Sequence, residues 1–320
     1  MPLARRSKER LRSLKLEYNM TEHCNYGCNE CSHFSPYMRR GESSVESFER
    51  DLSALARVLT VYRFRFVGGE PLLNKQLVEH VRLVRESGIA DEIQACTNGA
   101  LLDRTPDEAI AALDTLTISW YPDPRVDQSL IDRTIERCRR LNTKVGVLKI
   151  DKFRRMQVVR PFESSRLVQE IFDTCEIAHL WYCQTFYEGR FYLCSRPIFT
   201  SRFLGKLDEN VEDFRETDGI ALHEPNLVDR LEALLHRKEP LSSCRYCLGT
   251  VGKEVPWRQL SPSERKHPVR YNDKNDELID QHKMRRLRIK RHFPLRSMLL
   301  MAPESLSGLA ARFSRSLSRD

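Results

Sequence analysis

Hydrophobic and polar residues follow a regular succession of patterns between residues 14 and 150. Five segments have the short alternating or apolar pattern of strands: residues 14–19, 62–67, 91–96, 114–120 and 143–150. Four segments between them repeat apolar residues at helical spacing: residues 45–59, 75–87, 106–113 and 127–141. Strands and helices in alternation, joined by short connections, predict an α/β fold with parallel strands and crossover helices.

Residues with strong positional preferences support these assignments. Ser44 precedes the first helix and is a plausible N-cap, and Gly88 follows the second helix at the C′ position. Each polar motif of interest follows the end of a predicted strand, and in a parallel barrel that rim is where ligands bind. The pattern therefore predicts a functional site at the carboxyl ends of the strands.

The alternation stops after residue 160, and a smaller unit follows. Residues 181–194 (WYCQTFYEGRFYLC) predict a hairpin with Glu188 and Gly189 at its turn, and residues 226–237 predict a helix. The predicted organisation is a basic arm at 1–13, a barrel at 14–165, a small domain at 166–256 and a basic, partly disordered or amphipathic tail at 257–320.

Charge and hydropathy limit the classes of function. Residues 281–320 hold ten Lys or Arg and two Asp or Glu, which gives the whole net charge of +8, because the other residues hold 43 of each. We therefore expect no specific nucleic acid. No apolar run reaches the roughly 20 residues that span a bilayer, and the basic start lacks an apolar stretch behind it, so we expect a cytoplasmic protein. Residues 283–301 could lie at the inner membrane surface, bind an anionic substrate, a partner or nucleic acid, or form a solvated, partly disordered tail.

Ten cysteines in a cytoplasmic chain favour metal or iron–sulfur binding over disulfides. Cys24, Cys28 and Cys31 have the spacing C-x3-C-x2-C, directly after the first predicted strand. Thiolates select zinc, copper(I) or iron–sulfur clusters. With His23 or His33 as a fourth ligand, this loop would hold a structural zinc ion, so the spacing leaves both a zinc site and a cluster open.

Two further motifs follow the next two strands. The second strand ends in GGEP, residues 68–71, and the third ends in TNG, residues 97–99. The three motifs in this order resemble the radical S-adenosylmethionine (SAM) superfamily over residues 14 to about 150. The resemblance implies a partial (βα)6-type parallel barrel. Glu30 departs from the family pattern, which has an aromatic residue before the last cysteine.

The resemblance also implies cofactors and their ligands. Cys24, Cys28 and Cys31 would hold three irons of a [4Fe–4S] cluster, and SAM would chelate the fourth. The reduced cluster would cleave SAM to a deoxyadenosyl radical that abstracts hydrogen from a substrate. The residues expected to contact SAM are Gly68, Gly69, Glu70, Pro71, Thr97, Asn98 and Ser119. Gly-Gly and Asn-Gly are also ordinary turn formers, so this pattern alone does not separate the two roles.

A second set of cysteines lies in the smaller unit. Cys175, Cys194, Cys244 and Cys247 resemble the ligands of a twitch domain, a shortened SPASM module, and the resemblance implies one auxiliary [4Fe–4S] cluster. Cys183 is a fifth thiol, either an alternative ligand or a buried hairpin residue. The predicted fold is thus α/β, a partial barrel with a small hairpin-containing iron–sulfur domain.

A fully ligated auxiliary cluster favours oxidation of a small polar substrate such as a sugar, aminocyclitol or nucleotide sugar. Epimerisation or peptide modification on the same scaffold is the alternative. Cys96 is a candidate hydrogen donor, although a buried strand residue is the explanation that its position favours. The expected partner is an external one-electron donor such as flavodoxin or ferredoxin. A zinc-stabilised binding protein without enzymatic activity is the alternative of a different class.

Overall fold

The computed structural model describes residues 10–207, 209–267 and 274–291. By contacts between residues, the chain divides into two units, residues 1–279 and residues 280–320. The sites discussed below all lie in the first unit. Within the part of the chain that the structure describes, no helix is both long enough and apolar enough to cross a membrane.

The elements are numbered in chain order. The strands of the described residues are β1 Leu11–Thr21, β2 Leu59–Gly68, β3 Ala90–Thr97, β4 Thr115–Trp120, β5 Lys144–Lys149, β6 Lys152–Arg154, β7 Thr185–Tyr187, β8 Arg190–Tyr192, β9 Ile220–Ala221 and β10 Glu254–Pro256. The α-helices are α1 Val45–Ala56, α2 Leu77–Ser87, α3 Asp107–Ala111, α4 Gln128–Arg140, α5 Ser165–Asp173, α6 Glu176–His179, α7 Arg196–Gly205, α8 Phe214–Asp218, α9 Leu227–Leu235, α10 Pro262–Lys266 and α11 Gln281–Arg291.

The main sheet has the strand order β5-β4-β3-β2-β1-β7-β8-β9. Strands β1 to β5 are all parallel to their neighbours, and β7 adds to the free edge of β1, also in parallel. Strands β8 and β9 continue the sheet in antiparallel fashion. The predicted α/β fold with a mostly parallel sheet is confirmed. Strand β6 does not extend it, because β6 pairs with β10 in a separate two-stranded sheet.

The two faces of the sheet differ in polarity. On β1, Leu16, Tyr18 and Met20 belong to the core that packs beneath the helices. The intervening residues Glu17 and Asn19 lie on the opposite face because side chains alternate along a strand.

Hydrogen bonds join β1, β2, β3 and β4 across this second face. Glu92 accepts from Arg63 on β2 and from Thr115 on β4, while Arg65 donates to Gln94 and to Glu17. The face away from the helices is therefore polar and internally paired, which suits contact with a polar molecule.

Local signals in the sequence explain where several elements begin and end. Ser44 accepts a hydrogen bond from the Ser47 backbone N–H and caps α1, as predicted. Gly88 ends α2 with a φ of 60°. Glu188 and Gly189, with φ values of 46° and 77°, form the tight turn between β7 and β8. The predicted hairpin is confirmed.

The predicted boundaries at residues 165 and 256 do not coincide with a break between compact units, since the first unit continues to Ile279. The division into barrel and auxiliary domain stays a prediction. Of the predicted basic arm, residues 1–9 lie outside the described residues and residues 11–13 begin β1. Of the basic segment 283–301, the described part belongs to α11, and residues 292–320 lie outside the described residues.

Candidate functional site

The first three cysteines lie on the loop that follows β1, residues 22–34, which we call the cysteine loop. Nitrogen donors approach two of its sulfurs. The Tyr26 backbone N–H and the Asn98 side chain donate to Cys24 Sγ over 3.3 and 3.4 Å. The indole N–H of Trp257 donates to Cys28 Sγ over 3.2 Å. Donors aimed at sulfur stabilise the thiolate, which is the form that binds metal.

Burial opposes ionisation of these thiols. It raises the pKa of Cys24, where the Glu70 carboxylate adds to the effect, and it raises the pKa of Cys28 to about 12, where Cys31 adds to it. Three adjacent thiolates in such surroundings need a compensating cation. A cationic metal centre therefore fits this donor set, and soft sulfur donors suit iron–sulfur chemistry.

Glu70 connects all three motifs. Its side chain is 1% exposed, and one carboxylate oxygen accepts from the Thr97 hydroxyl over 2.7 Å and from the Leu72 N–H over 3.1 Å. The other oxygen accepts from the Asn98 backbone N–H over 2.8 Å. Burial nevertheless raises the pKa of Glu70 to about 7. These bonds fix the TNG segment against GGEP.

Asn98 extends the connection to the cysteine loop. Its side-chain amide donates to Asn25 Oδ1 over 2.7 Å as well as to Cys24 Sγ, while its carbonyl oxygen accepts from the Ala100 N–H. The three motifs predicted to share one site thus meet through Glu70 and Asn98. Ser119 lies on β4 and pairs in register with Leu148.

The two glycines of GGEP face protein backbone. A Cβ atom on Gly69 would lie 1.7 Å from the His23 carbonyl oxygen, and one on Gly68, where φ is 132°, would lie 2.5 Å from the Thr21 carbonyl oxygen. Any side chain here would separate the cysteine loop from the end of β2. Glycine is therefore required at both positions because these two segments pack closely against each other. Pro71 begins the 3₁₀ turn that follows.

A segment that the sequence pattern assigned to the tail contacts the cysteine loop. Residues 257–265, here called the capping segment, form backbone hydrogen bonds from Asn29 N to Arg258 O and from Leu260 N to Gly27 O. Its Trp257 ring stacks on Tyr121 with centroids 5.5 Å apart and planes 1° apart. Sequence reasoning missed this segment because it lacks periodicity, and a tryptophan among polar residues was its single signal.

The capping segment supplies an aromatic ring to the cysteine loop, which at Glu30 departs from the family pattern. The aromatic residue that the family pattern places before the last cysteine is absent, and Glu30 stands there with a φ of 57° and its carboxylate 4.0 Å from Arg155 Nε. Trp257 brings an aromatic ring to the same loop from a distant part of the chain.

The structure brings the second cysteine set together. Cys175, Cys194, Cys244 and Cys247 line one cavity, here called the four-cysteine cavity, whose other lining residues are mainly apolar. Burial raises the pKa of Cys175 to about 11, and Cys247 adds to this shift by its charge. Burial also raises the pKa values of Cys194 and Cys244, with further contributions from the neighbouring thiols. This set likewise fits a cationic centre.

Cys183 lies apart from the four-cysteine cavity. The charges that act on it are those of Glu17, Lys15 and Arg65, and the same three groups act on Cys96. Burial raises the pKa of both thiols. Cys96 and Cys183 thus share the polar face of the sheet.

The role of His23 or His33 as a fourth ligand of a zinc ion stays a prediction. Burial lowers the pKa of His33 to about 4, and its Nδ1 lies 3.1 Å from the Ser32 hydroxyl. His23 Nδ1 is buried with no hydrogen-bond partner among the described residues. Over the same residues, no three His, Cys, Asp or Glu side chains converge on a position for a single metal ion.

Comparison with known proteins gives curated relatives that match part of the chain. The chain is 35% identical to a GTP 3′,8-cyclase of Chlorobaculum tepidum over 102 residues, 31% of this chain and 30% of that protein. It is 28% identical to an S-adenosylmethionine-dependent nucleotide dehydratase of Selenomonas ruminantium over 141 residues, 43% of this chain and 47% of that protein. The chain thus spans about a third of the first of these curated relatives and under half of the second.

Among solved structures, the chain is similar to native anSMEcpe with bound AdoMet, with a TM-score of 0.45 and 15% identity over 88% of this chain and 97% of that chain. Residues 18–122 match the model of the radical SAM superfamily. That range contains the cysteine loop, GGEP and TNG, so the cofactors that the motifs predicted, SAM and a [4Fe–4S] cluster, are those of the matching family. Residues 18–122 of this chain therefore form a radical SAM domain.

Proposed function

We propose that this protein abstracts hydrogen from a small polar substrate by radical SAM chemistry and oxidises it with the help of one auxiliary [4Fe–4S] cluster. The observation that carries the proposal is the junction of the three motifs through Glu70 and Asn98. A cluster and SAM bound there supply a deoxyadenosyl radical, and the protein positions them and excludes water.

The residues around the junction have separate tasks. Cys24, Cys28 and Cys31 would hold the cluster, which would supply the electron for cleavage of SAM. Gly68, Gly69, Pro71, Thr97, Asn98 and Ser119 form the SAM site. Because Glu70 already accepts three hydrogen bonds, its task is to hold the loops in place as well as to balance the charge of SAM.

The four-cysteine cavity supports the oxidative part of the proposal. Cys175, Cys194, Cys244 and Cys247 supply as many thiols as a [4Fe–4S] cluster needs, so a cluster there would be closed to substrate. A closed cluster accepts or transfers an electron and does not bind the reacting molecule. Cys183 lies outside the residues that line this cavity and is not needed for ligation.

The polar face of the sheet supports a polar substrate. Lys15, Glu17 and Arg65 lie there among hydrogen-bonded side chains of neighbouring strands. The relatives are named for reactions on GTP and on a nucleotide, and a nucleotide sugar falls within the predicted range of substrates. Their match covers 31% and 43% of this chain, so it carries the cofactor chemistry further than the substrate.

A second candidate is radical epimerisation, which requires a hydrogen donor. Burial keeps the Cys96 thiol protonated, and its charged neighbours belong to the polar face. A protonated thiol there would return a hydrogen atom to a substrate radical.

Anaerobic purification and one assay test the proposal. With dithionite or reduced flavodoxin as electron donor, the protein should convert SAM to 5′-deoxyadenosine, and a variant with alanine at Cys24, Cys28 and Cys31 should not. A Cys138→Ala variant is the matched control, because Cys138 is buried on α4 away from both cysteine sets. A colourless protein that binds zinc and leaves SAM intact would overturn the proposal.

Isotope tracing separates the two candidate reactions. In oxidation, substrate hydrogen passes to 5′-deoxyadenosine and the product gains none from solvent. In epimerisation, product formed in D₂O carries one deuterium, and Cys96→Ala abolishes that incorporation.

A further inference from the structure

A second cavity lies beside Cys31 on the side of the cysteine loop that faces the segment 156–159 and α7. It has an empty volume of about 520 Å³, which includes the open solvent at its mouth. Phe34, Phe203 and Met156 contribute apolar surface, whereas Gln157 and Arg196 contribute polar groups. We call it the Arg196 cavity.

Arg196 is buried, and it forms no ion pair with a carboxylate of the described residues. The residue is 4% exposed, and neither of its guanidinium nitrogens, Nη1 and Nη2, has a hydrogen-bond partner among the described residues. The guanidinium carbon lies 4.9 Å from the centre of the Phe34 ring. A cation over an aromatic face gains much less than a charge loses on leaving water, so this contact does not account for its burial.

The acidic residue that lines the same cavity does not neutralise Arg196. The Glu30 carboxylate lies 4.0 Å from Arg155 Nε instead. Gln157, which is 8% exposed, donates through its amide nitrogen to the Val158 carbonyl, but its Oε1 atom is buried without a partner in the described part of the chain. Two unpaired donors and one unpaired acceptor therefore line this cavity.

The position of the guanidinium favours this cavity over the four-cysteine cavity. Arg196 borders both, and its charge acts on Cys175 and Cys194. Its guanidinium carbon nevertheless lies over the ring of Phe34, which belongs to the cysteine loop and lines the Arg196 cavity.

We propose that the Arg196 cavity binds an anionic group of the substrate, a phosphate or a carboxylate, through Nη1 and Nη2 of Arg196. Two N–H donors on one planar group match two oxygens of such an anion. Gln157 Oε1 accepts from a hydroxyl or amine next to that group. This proposal adds a binding site for the substrate, and it rests on the proposed function only for the claim that the bound anion is part of the substrate. Binding of an anion to Arg196 does not itself require the reaction.

The test uses the full-length, anaerobically purified holoenzyme in phosphate-free buffer, with inorganic phosphate and acetate as probes. Calorimetric titration should show binding of at least one probe, weakened at least tenfold in Arg196→Met and less in Arg196→Lys. Phosphate binding without acetate binding identifies a phosphorylated substrate, and the reverse identifies a carboxylate. Arg166→Met, at an exposed position of α5, is the control for loss of one positive charge and should bind like the wild type.

Thermal unfolding gives a second readout. Replacing an unpaired buried charge by an apolar side chain should raise the unfolding temperature of Arg196→Met in the absence of anions. Added phosphate or acetate should raise that of the wild type but not of the variant. Probe binding that is unchanged in Arg196→Met, or absent in the wild type, overturns the proposal.

Iron content separates this proposal from the one on which it rests. If Arg196→Met loses iron or shifts a cluster potential while probe binding is unaffected, Arg196 balances cluster charge and the anion site is overturned. If the wild type holds no iron and does not cleave SAM, the proposed function fails, yet Arg196-dependent probe binding can still be measured.

Discussion

The two cysteine sets differ in how the chain assembles them. Cys24, Cys28 and Cys31 lie within one loop after β1, and polar groups from two other motifs surround them. The later four come from the start of α6, the end of the hairpin and the turn at residues 242–247, and they line a largely apolar cavity. The first set is local in sequence and the second is a product of tertiary structure.

This difference has consequences for stability and chemistry. A loop that carries its own ligands can lose its metal while the sheet beneath it keeps its apolar core. Thiols that join three distant segments contribute to folding when they bind metal, because no such site exists in the unfolded chain. Removing the first set should therefore abolish chemistry, and removing the second should also weaken the fold.

The largest expected effect comes from alanine at each set of cysteines. Replacing the first three, or the later four, should lower the iron content from about eight to about four per chain, since each cubane contains four irons. The first variant should keep the unfolding temperature near that of the wild type, and the second should lower it clearly. Iron and sulfide analysis with calorimetry checks both. Equal destabilisation by the two variants would contradict the comparison.

Glu70→Gln tests the polar network that distinguishes the first site. A neutral amide cannot accept as Glu70 does, and one buried hydrogen bond lost in this way costs about 1–3 kcal/mol. Production of 5′-deoxyadenosine should fall at least tenfold. Glu108→Gln, at an exposed position of α3, is the control and should leave both unfolding and SAM cleavage unchanged.

We expect Glu70→Gln also to change how the free energy of unfolding depends on pH. Burial raises the pKa of Glu70 to about 7. Between the ordinary pKa of a glutamate and pH 7, the folded protein therefore keeps a proton on Glu70 that the unfolded chain has released. The free energy of unfolding should therefore fall as pH rises toward 7, by on the order of 2 kcal/mol between pH 5 and 7. Glu70→Gln should remove this slope. A slope unchanged in the variant would assign it to another group.

Trp257→Phe tests the capping segment with a smaller expected effect. Phenylalanine keeps the stack on Tyr121 but removes the N–H that donates to Cys28 Sγ. Hydrogen bonds to ligand sulfurs raise the potential of iron–sulfur clusters, so the midpoint potential of the first cluster should become more negative. Redox titration monitored by electron paramagnetic resonance measures the shift. The control is Trp181→Phe, whose ring is exposed.

Cys183→Ala should have the smallest effect on metal. The thiol lies among Lys15, Glu17 and Arg65 and outside the residues that line the four-cysteine cavity. Iron content should stay at about eight per chain. A fall toward four would make Cys183 a ligand and would show that the second site rearranges when metal binds.

Much of the fold could be predicted from the sequence, because its signals are local. Apolar periodicity identified the five parallel strands and their helices, Ser44 and Gly88 marked helix ends, and Glu188-Gly189 marked the hairpin turn. The addition of β7 to the edge of β1 could not be predicted, since edge pairing depends on which strand the folded hairpin meets.

The candidate site divides in the same way. The spacing of Cys24, Cys28 and Cys31 and the motifs after the next two strands predicted one site, because parallel strands bring their carboxyl ends to one rim. The roles of Trp257 and Arg196 could not be predicted. Each depends on contacts between segments far apart in sequence, Trp257 with Cys28 and Arg196 with Phe34.

By itself, the sequence determined the alternation of strands and helices, the ligand spacing of the cysteine loop and the glycines that let GGEP approach it, because these depend on neighbours within a few residues. Only the tertiary structure decided that the later four cysteines line one cavity and that Cys183 is not among its lining residues. It also decided that the Nη atoms of Arg196 are buried with no hydrogen-bond partner in the part of the chain that the structure describes. The physical reason is that burial and charge pairing are properties of the packed chain. No local pattern encodes which distant groups will exclude water from a given side chain.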